Sequence, residues 1–162
     1  EIWSYGHRNP QGLAIDASGQ LWSHEHGARG GDEINRIKKG ANYGWPVVTL
    51  GKDYSGARIS PFSTYPGMTD PIVDWTPSIA PSSMIYYSHD QYPVLTDTLL
   101  VTSLKAKALY AVRAVSNEYI STKIFEGPGE RLRDIALDHQ GNLLLLTDGE
   151  NGRVIKVSPR EN

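Results

Sequence analysis

Two stretches of this chain repeat one pattern, and that repeat restricts the fold more than any other feature. Residues 12–27, GLAIDASGQLWSHEHG, align with residues 134–149, DIALDHQGNLLLLTDG. In each, an apolar run ends in Asp (Asp16, Asp138), a Gly follows three residues later (Gly19, Gly141), and a second apolar run begins at once. The chemistry is that of a hairpin. Asp bonds the backbone N–H two residues on, and Gly takes the positive φ that closes the turn. A further strand follows each copy, at residues 33–37 and 152–157, and a looser two-strand unit spans residues 97–112. Units of about 40–50 residues with several strands each mark propeller blades. The spacing of the copies fits two blade intervals plus a long insertion, read as a loop over residues 47–81, which are rich in Pro, Gly, Ser and Thr. The expected fold is therefore all-β, a partial propeller of about three blades over residues 1–162. A closed propeller has about 4–8 blades. The chain opens at Glu1-Ile2-Trp3 with neither initiator Met nor signal peptide, so an N-terminal half is expected upstream.

Composition narrows the function classes. The 16 Lys and Arg stand against 18 Asp and Glu, which leaves no basic stripe to displace counterions from nucleic acid. The chain has no Cys, which excludes thiol chemistry and Cys-based zinc sites. No apolar run approaches the roughly 20 residues of a membrane helix.

Several polar clusters interrupt this β pattern. Gly6-His7-Arg8-Asn9-Pro10 precedes a strand; on spacing alone it reads as a turn, with polar groups placed where a propeller strand meets the central channel. In residues 23–33, His24 and His26 share a strand face and Glu25 takes the other. With Asp32 nearby, the two imidazoles suit zinc; alternatively, the glycines at 27, 30 and 31 free backbone carbonyls, which suit calcium. A solvated hairpin loop is the third reading. Arg131 and Arg133 share a strand face that alternation carries on to Ile135 and Leu137. Two such forks suit a ligand with several carboxylates or phosphates, against the alternative of ion pairs with Glu130 or Asp134. Lys105, between two strands, is a surface lysine when taken alone and a further anion or carbonyl partner if it shares a channel with the arginines. Trp75, on a Pro-rich stretch, is placed either to stack on a sugar or to pin its loop to the core.

Taken together, GHRNPQG (6–12), EHGARGGDEIN (25–35) followed by GANYGWP (40–46), LLVTSLKAKALY (99–110), RLRDIALDHQG (131–141) and LLLLTDG (143–149) resemble the soluble pyrroloquinoline-quinone-dependent glucose and aldose sugar dehydrogenases. The resemblance implies a six-bladed β-propeller of which this chain is the C-terminal half. It implies quinone contacts from Arg8, Asn9, His26, Lys105, Arg131 and Arg133, and a cofactor calcium on the backbone carbonyls of Gly27 and Ala28. Asp32 matches an acid that supports the catalytic base, itself a His from an earlier blade. Glu33, Tyr43 and Asp53 match a second calcium site, and Trp75 lies near a substrate-stacking Trp. Two positions depart from the pattern: Ala28 replaces a frequent Pro, and His26 stands where the glucose enzyme has Gln. The implied reaction oxidises an aldose at C1 to the lactone, with hydride passing to the quinone and electrons leaving to an unidentified acceptor, in the periplasm or outside the cell. The chain alone is expected to be inactive. Two other readings remain: a propeller lactonase or related hydrolase holding a metal on His24, His26 and Asp32, and a non-catalytic binding propeller.

Overall fold

The computed structural model describes residues 1–127 and 129–159. Three antiparallel sheets follow one another along the chain. The first holds β1 (Pro10–Ile15), β2 (Leu21–Glu25), β3 (Asp32–Arg36) and β4 (Val73–Trp75), the second β5 (Pro81–Tyr87), β6 (Thr98–Ser103), β7 (Ala108–Val115) and β8 (Glu118–Glu126), and the third β9 (Arg131–Leu137), β10 (Leu143–Asp148) and β11 (Val154–Val157). Within each sheet, sequence neighbours are spatial neighbours. That meander is a propeller blade.

Turn chemistry sets the register as the repeat predicts. Asp16 accepts the N–H groups of Ser18 (2.9 Å) and Gln20 (3.0 Å), and Asp138 accepts those of Gln140 and Asn142 (both 2.9 Å). Gly19 and Gly141 take φ of 82° and 81°, which side chains with a Cβ adopt at a cost.

Sheets pack face to face through two apolar clusters. Ala14, Trp22, Ile34, Val73 and Trp75 of the first meet Met84, Leu99, Val101 and Val112 of the second. On its other face the second sheet sets Tyr87, Leu100, Leu109 and Ala111 against Leu132, Ile135, Leu143 and Leu145 of the third. Every residue of β6 is buried, so its sequence TLLVTS lacks the polar alternation of a one-sided strand.

The first strand of each blade is innermost: β5 packs against β1 on one side and β9 on the other. Ser82 Oγ donates to the Leu132 carbonyl (2.7 Å) and Ser83 Oγ to Asp134 (2.5 Å), fastening β5 to β9. The stretch read as one loop, residues 47–81, needs correction. It contains β4, the outermost strand of the first blade, together with the first residue of β5, while residues 48–62 carry only isolated bridges. Three residues are too few to show a strand period in sequence.

Candidate functional site

Strand register carries the polar clusters to one end of the molecule. Pro10 pairs with Glu25, Pro81 with Ser103, and Arg131 with Asp148. The entries to β1, β5 and β9 therefore lie beside the loops after β2, β6 and β10. Arg8 and Asn9, residues 26–31, Lys105 and Arg131 all belong to this end.

The entry to β1 is locked to the end of β2. The Glu25 carboxylate accepts the backbone N–H of Arg8 (2.6 Å) and Asn9 (3.1 Å), and Asn9 in turn accepts the N–H of His26 (3.0 Å). Arg8 lies with its guanidinium 5.3 Å from the Trp45 ring, and its Nη1 donates to the carbonyls of His26 (3.0 Å) and Gly27 (2.7 Å). Its Nε is buried without a partner. A Cβ on Gly27 would stand 2.0 Å from the Gly30 carbonyl oxygen, so only Gly lets this loop close so tightly. Ala28, half-buried, continues the loop. Asp32 closes it: it accepts Gly27 N–H (3.0 Å) and Ala80 N–H (2.7 Å) and also binds the Ser78 hydroxyl. His26 Nε2 meets the Pro81 carbonyl (2.6 Å). The loop is thereby fixed to both the first and the second blade.

Glu25 and Glu33 face each other across β2 and β3, and Asn35 Nδ2 donates to both, at 3.0 and 2.8 Å. They border a small cavity of about 20 Å³, room for one water-sized species, together with Arg8, Gly27, Tyr43 and Trp45. Burial, then the charge of Glu25, raises the Glu33 pKa to about 8. Burial also opposes ionisation of Glu25, but hydrogen bonds from His7 and the Arg8 and Asn9 amides outweigh it and hold that carboxyl below its usual range. Like charges on facing strands are unfavourable, and the environment pushes the two carboxyls apart, Glu33 up and Glu25 down.

In the second calcium set that the resemblance implies, Asp53 and the Tyr43 hydroxyl have hydrogen-bond partners of their own. Asp53 is exposed and caps its own turn through Ser55 N–H (2.8 Å) and Oγ (2.6 Å). The Tyr43 hydroxyl binds the Arg36 carbonyl (2.6 Å) and Lys38 N–H (2.9 Å) while its ring stacks on His7, so only the body of Tyr43 borders the cavity. The carboxylate beside Glu33 is Glu25. Sequence held one sign of it: two glutamates flank the 26–32 loop symmetrically.

Trp75 is a second correction. It is 7% exposed, its Nε1 donates to Ser121 Oγ (3.1 Å), and its ring leans on Tyr110. It pins the first blade to the second and offers no face to a sugar. Arg131 and Arg133 also differ in detail. A bulge between Asp134 and Leu132 shifts the β9 register, so Leu132 and Ile135 are both buried while Arg131 and Arg133 stay exposed, off the apolar face. One odd residue reverses the alternation. Both guanidiniums reach one carboxylate, Asp148, at 3.2 and 2.9 Å, rather than Glu130 or Asp134. Two cations on one anion leave net positive charge at the strand entry. Lys105 is exposed and lines a separate cleft of about 460 Å³ with Arg29, Lys52, Thr76 and Ser78.

The metal set of a hydrolase does not converge. His24 is fully buried with both ring nitrogens unpartnered, His26 is on Pro81, and Asp32 is saturated by Gly27, Ser78 and Ala80. Among the described residues no group of three or more His, Cys, Asp or Glu is arranged to hold an ion. Burial, with the His26 charge adding to it, lowers the His24 pKa to about 4. Below its ordinary value of 6.5 the unfolded chain takes up a proton that the folded chain refuses, so stability is full above that pH and falls until about pH 4. The His24 contribution alone is an expected loss of about 2 kcal/mol between pH 8 and pH 5, read as the difference between the chain and a His24 variant because Glu33 titrates in the same window with the opposite sign. Urea unfolding of the chain and of His24→Leu at both pH values checks this: the variant should lack that increment, and equal slopes would refute it.

A profile of the Glucose / Sorbosone dehydrogenase family matches residues 1–156. The chain belongs to that family. Aldose sugar dehydrogenase YliI of Escherichia coli is 42% identical over 165 residues, covering 99% of this chain and 44% of that protein. The crystal structure of the soluble Escherichia coli aldose sugar dehydrogenase in its apo form superposes with a TM-score of 0.91 at 41% identity, covering 99% of this chain and 47% of that one. The PQQ-bound aldose sugar dehydrogenase of Streptomyces coelicolor gives a TM-score of 0.73 at 28% identity, with 97% and 45% covered. The chain thus spans under half the length of these relatives. The three blades described above are what the chain shares with these two structures.

The residues fit a polyanionic quinone with a divalent cation. The guanidinium of Arg8 already stands as a cation on the Gly27 carbonyl, and its orphaned Nε marks unused donor capacity. Hard carbonyl oxygens on a Gly-shaped loop suit calcium. Arg131 and Arg133 offer forks to carboxylates at the same end. Among the described residues no helix is long and apolar enough to cross a membrane.

Proposed function

We propose that the chain is part of a pyrroloquinoline-quinone- and calcium-dependent oxidoreductase, periplasmic or secreted, that oxidises aldoses at C1 to lactones and passes the electrons on to an acceptor. The reading is carried by one juxtaposition: at a single end of the inner strands, Arg131, Arg133 and Lys105 accompany a carbonyl loop on which the Arg8 guanidinium rests.

Bound there, the quinone would accept the substrate hydride while calcium acted as a Lewis acid. The chain's own residues bind and orient. Arg131 and Arg133 neutralise carboxylates, with Asp148 holding the two forks in place. Arg8, Asn9 and His26 approach from the β1–β2 side and Lys105 from the second blade. The Gly27 and Ala28 carbonyls would hold the cofactor calcium, and Asp32 fixes their loop. No residue of this chain is assigned the general base, which the family resemblance puts in an upstream blade.

The test is reconstitution of the full-length gene product with calcium and quinone, followed by aldose. Reduction of the quinone spectrum and of an electron-accepting dye is expected, with no dye reduction by the isolated 162-residue chain. A reconstituted protein that binds quinone and leaves it oxidised in every aldose tried would overturn the proposal.

A further inference from the structure

We infer that Glu25 is the positioning residue that presents Arg8 and Asn9 to the cofactor. The inference rests on the quinone reading above. Glu25 is 3% exposed at the end of β2 and uses both carboxylate oxygens. One oxygen, Oε2, accepts two consecutive backbone amides, Arg8 at 2.6 Å and Asn9 at 3.1 Å. The other, Oε1, meets His7 Nδ1 at 3.1 Å and Asn35 Nδ2 at 3.0 Å.

Two successive N–H groups converging on one carboxylate oxygen fix the orientation of the two peptide units that donate them. Hydrogen bonds to an ionised acceptor are roughly twice as strong as neutral ones. The grip is returned from the other side, where Asn9 accepts His26 N–H and Arg8 Nη1 donates to the His26 and Gly27 carbonyls. Residues 8–9 and 25–27 are thus tied by bonds running both ways. Rotating the Arg8–Asn9 turn would break the Glu25 bonds and the loop bonds together. His7 stiffens the arrangement further: its ring is stacked on Tyr43 and its Nε2 bonds Ser4 Oγ (2.9 Å). Glu25 acts through the turn it holds, and the side chains of that turn do the binding. A carboxamide in its place keeps the shape but brings an NH₂ to a position where one oxygen now receives donors, and it carries no charge.

The experiment measures the dissociation constant of pyrroloquinoline quinone by direct titration, with calcium present, for the full-length gene product, Glu25→Gln, Arg8→Ala/Asn9→Ala and the triple variant. Glu25→Gln should bind quinone ~10–100-fold more weakly, the range typical of residues that orient a ligand. Added to the Arg8→Ala/Asn9→Ala background, the same change should cost nothing further, since its route is already gone. Full additivity, or unchanged affinity in Glu25→Gln, overturns the inference while leaving the quinone reading in place. An unmodified protein that takes up no quinone sinks that reading, and this inference with it. If Glu25→Gln does not fold, hydrogen–deuterium exchange on the unmodified protein decides. Slow exchange at the Arg8 and Asn9 amides before quinone is added is the expected result. Fast exchange that slows only on adding quinone would mean that the ligand, and not Glu25, orders the turn.

Discussion

Replacing Arg131 and Arg133 together by Ala should weaken quinone binding by ~100- to ~10,000-fold, with the fold intact. Each guanidinium contributes hydrogen bonds to a charged partner worth about 1.5–3 kcal/mol, and every 1.4 kcal/mol is about tenfold. The fold survives because both side chains are half exposed, at 52% and 46%. Exposed ion pairs such as theirs with Asp148 contribute about 0–1 kcal/mol to stability. Titration of the full-length double variant with quinone, alongside its thermal midpoint, checks both halves. Unchanged affinity would favour the binding-propeller reading, in which the pair has no ligand to hold. The sequence had pointed to this pair, but for a partly mistaken reason. The bulge at Arg133 is a property of the β9–β10 register, which no local alternation reveals.

Asp32→Ala should be the most damaging single change. The side chain is 1% exposed and satisfies Gly27 N–H, Ala80 N–H and the Ser78 hydroxyl, joining two blades. Its loss strands three donors, each costing about 1–3 kcal/mol if it stays buried. A destabilisation of roughly 3–5 kcal/mol is expected, together with loss of calcium binding as the Gly27 loop is released. Asn at the same position keeps one acceptor and should fall between. Chemical unfolding and calcium titration of the two variants supply the measurement. Full stability in Asp32→Ala would contradict the role given to this carboxylate.

What the sequence revealed and what it hid have physical causes. The Asp16 and Asp138 turns were legible because their hydrogen bonds close within four residues. Two of the three blades followed from them, since each turn announces a hairpin, and the third came from the looser two-strand unit at residues 97–112. β4 was hidden by its length of three residues, and with it the burial of Trp75, which follows from packing on the second blade. Asp53 resembled a ligand by position, yet its own turn occupies it. Glu25 read as a residue turned away from its neighbouring histidines, because its partners come from the backbone of a segment some sixteen residues earlier. Local signals named the residues; the register decided which of them meet.

The most direct test is a crystal structure of the full-length gene product grown with calcium and quinone. The expected density has the quinone carboxylates on Arg131 and Arg133 and a cation on the Gly27 and Ala28 carbonyl oxygens. A cation held instead by the side chains of His24, His26 and Asp32, or a quinone bound away from this end of the inner strands, would contradict the account.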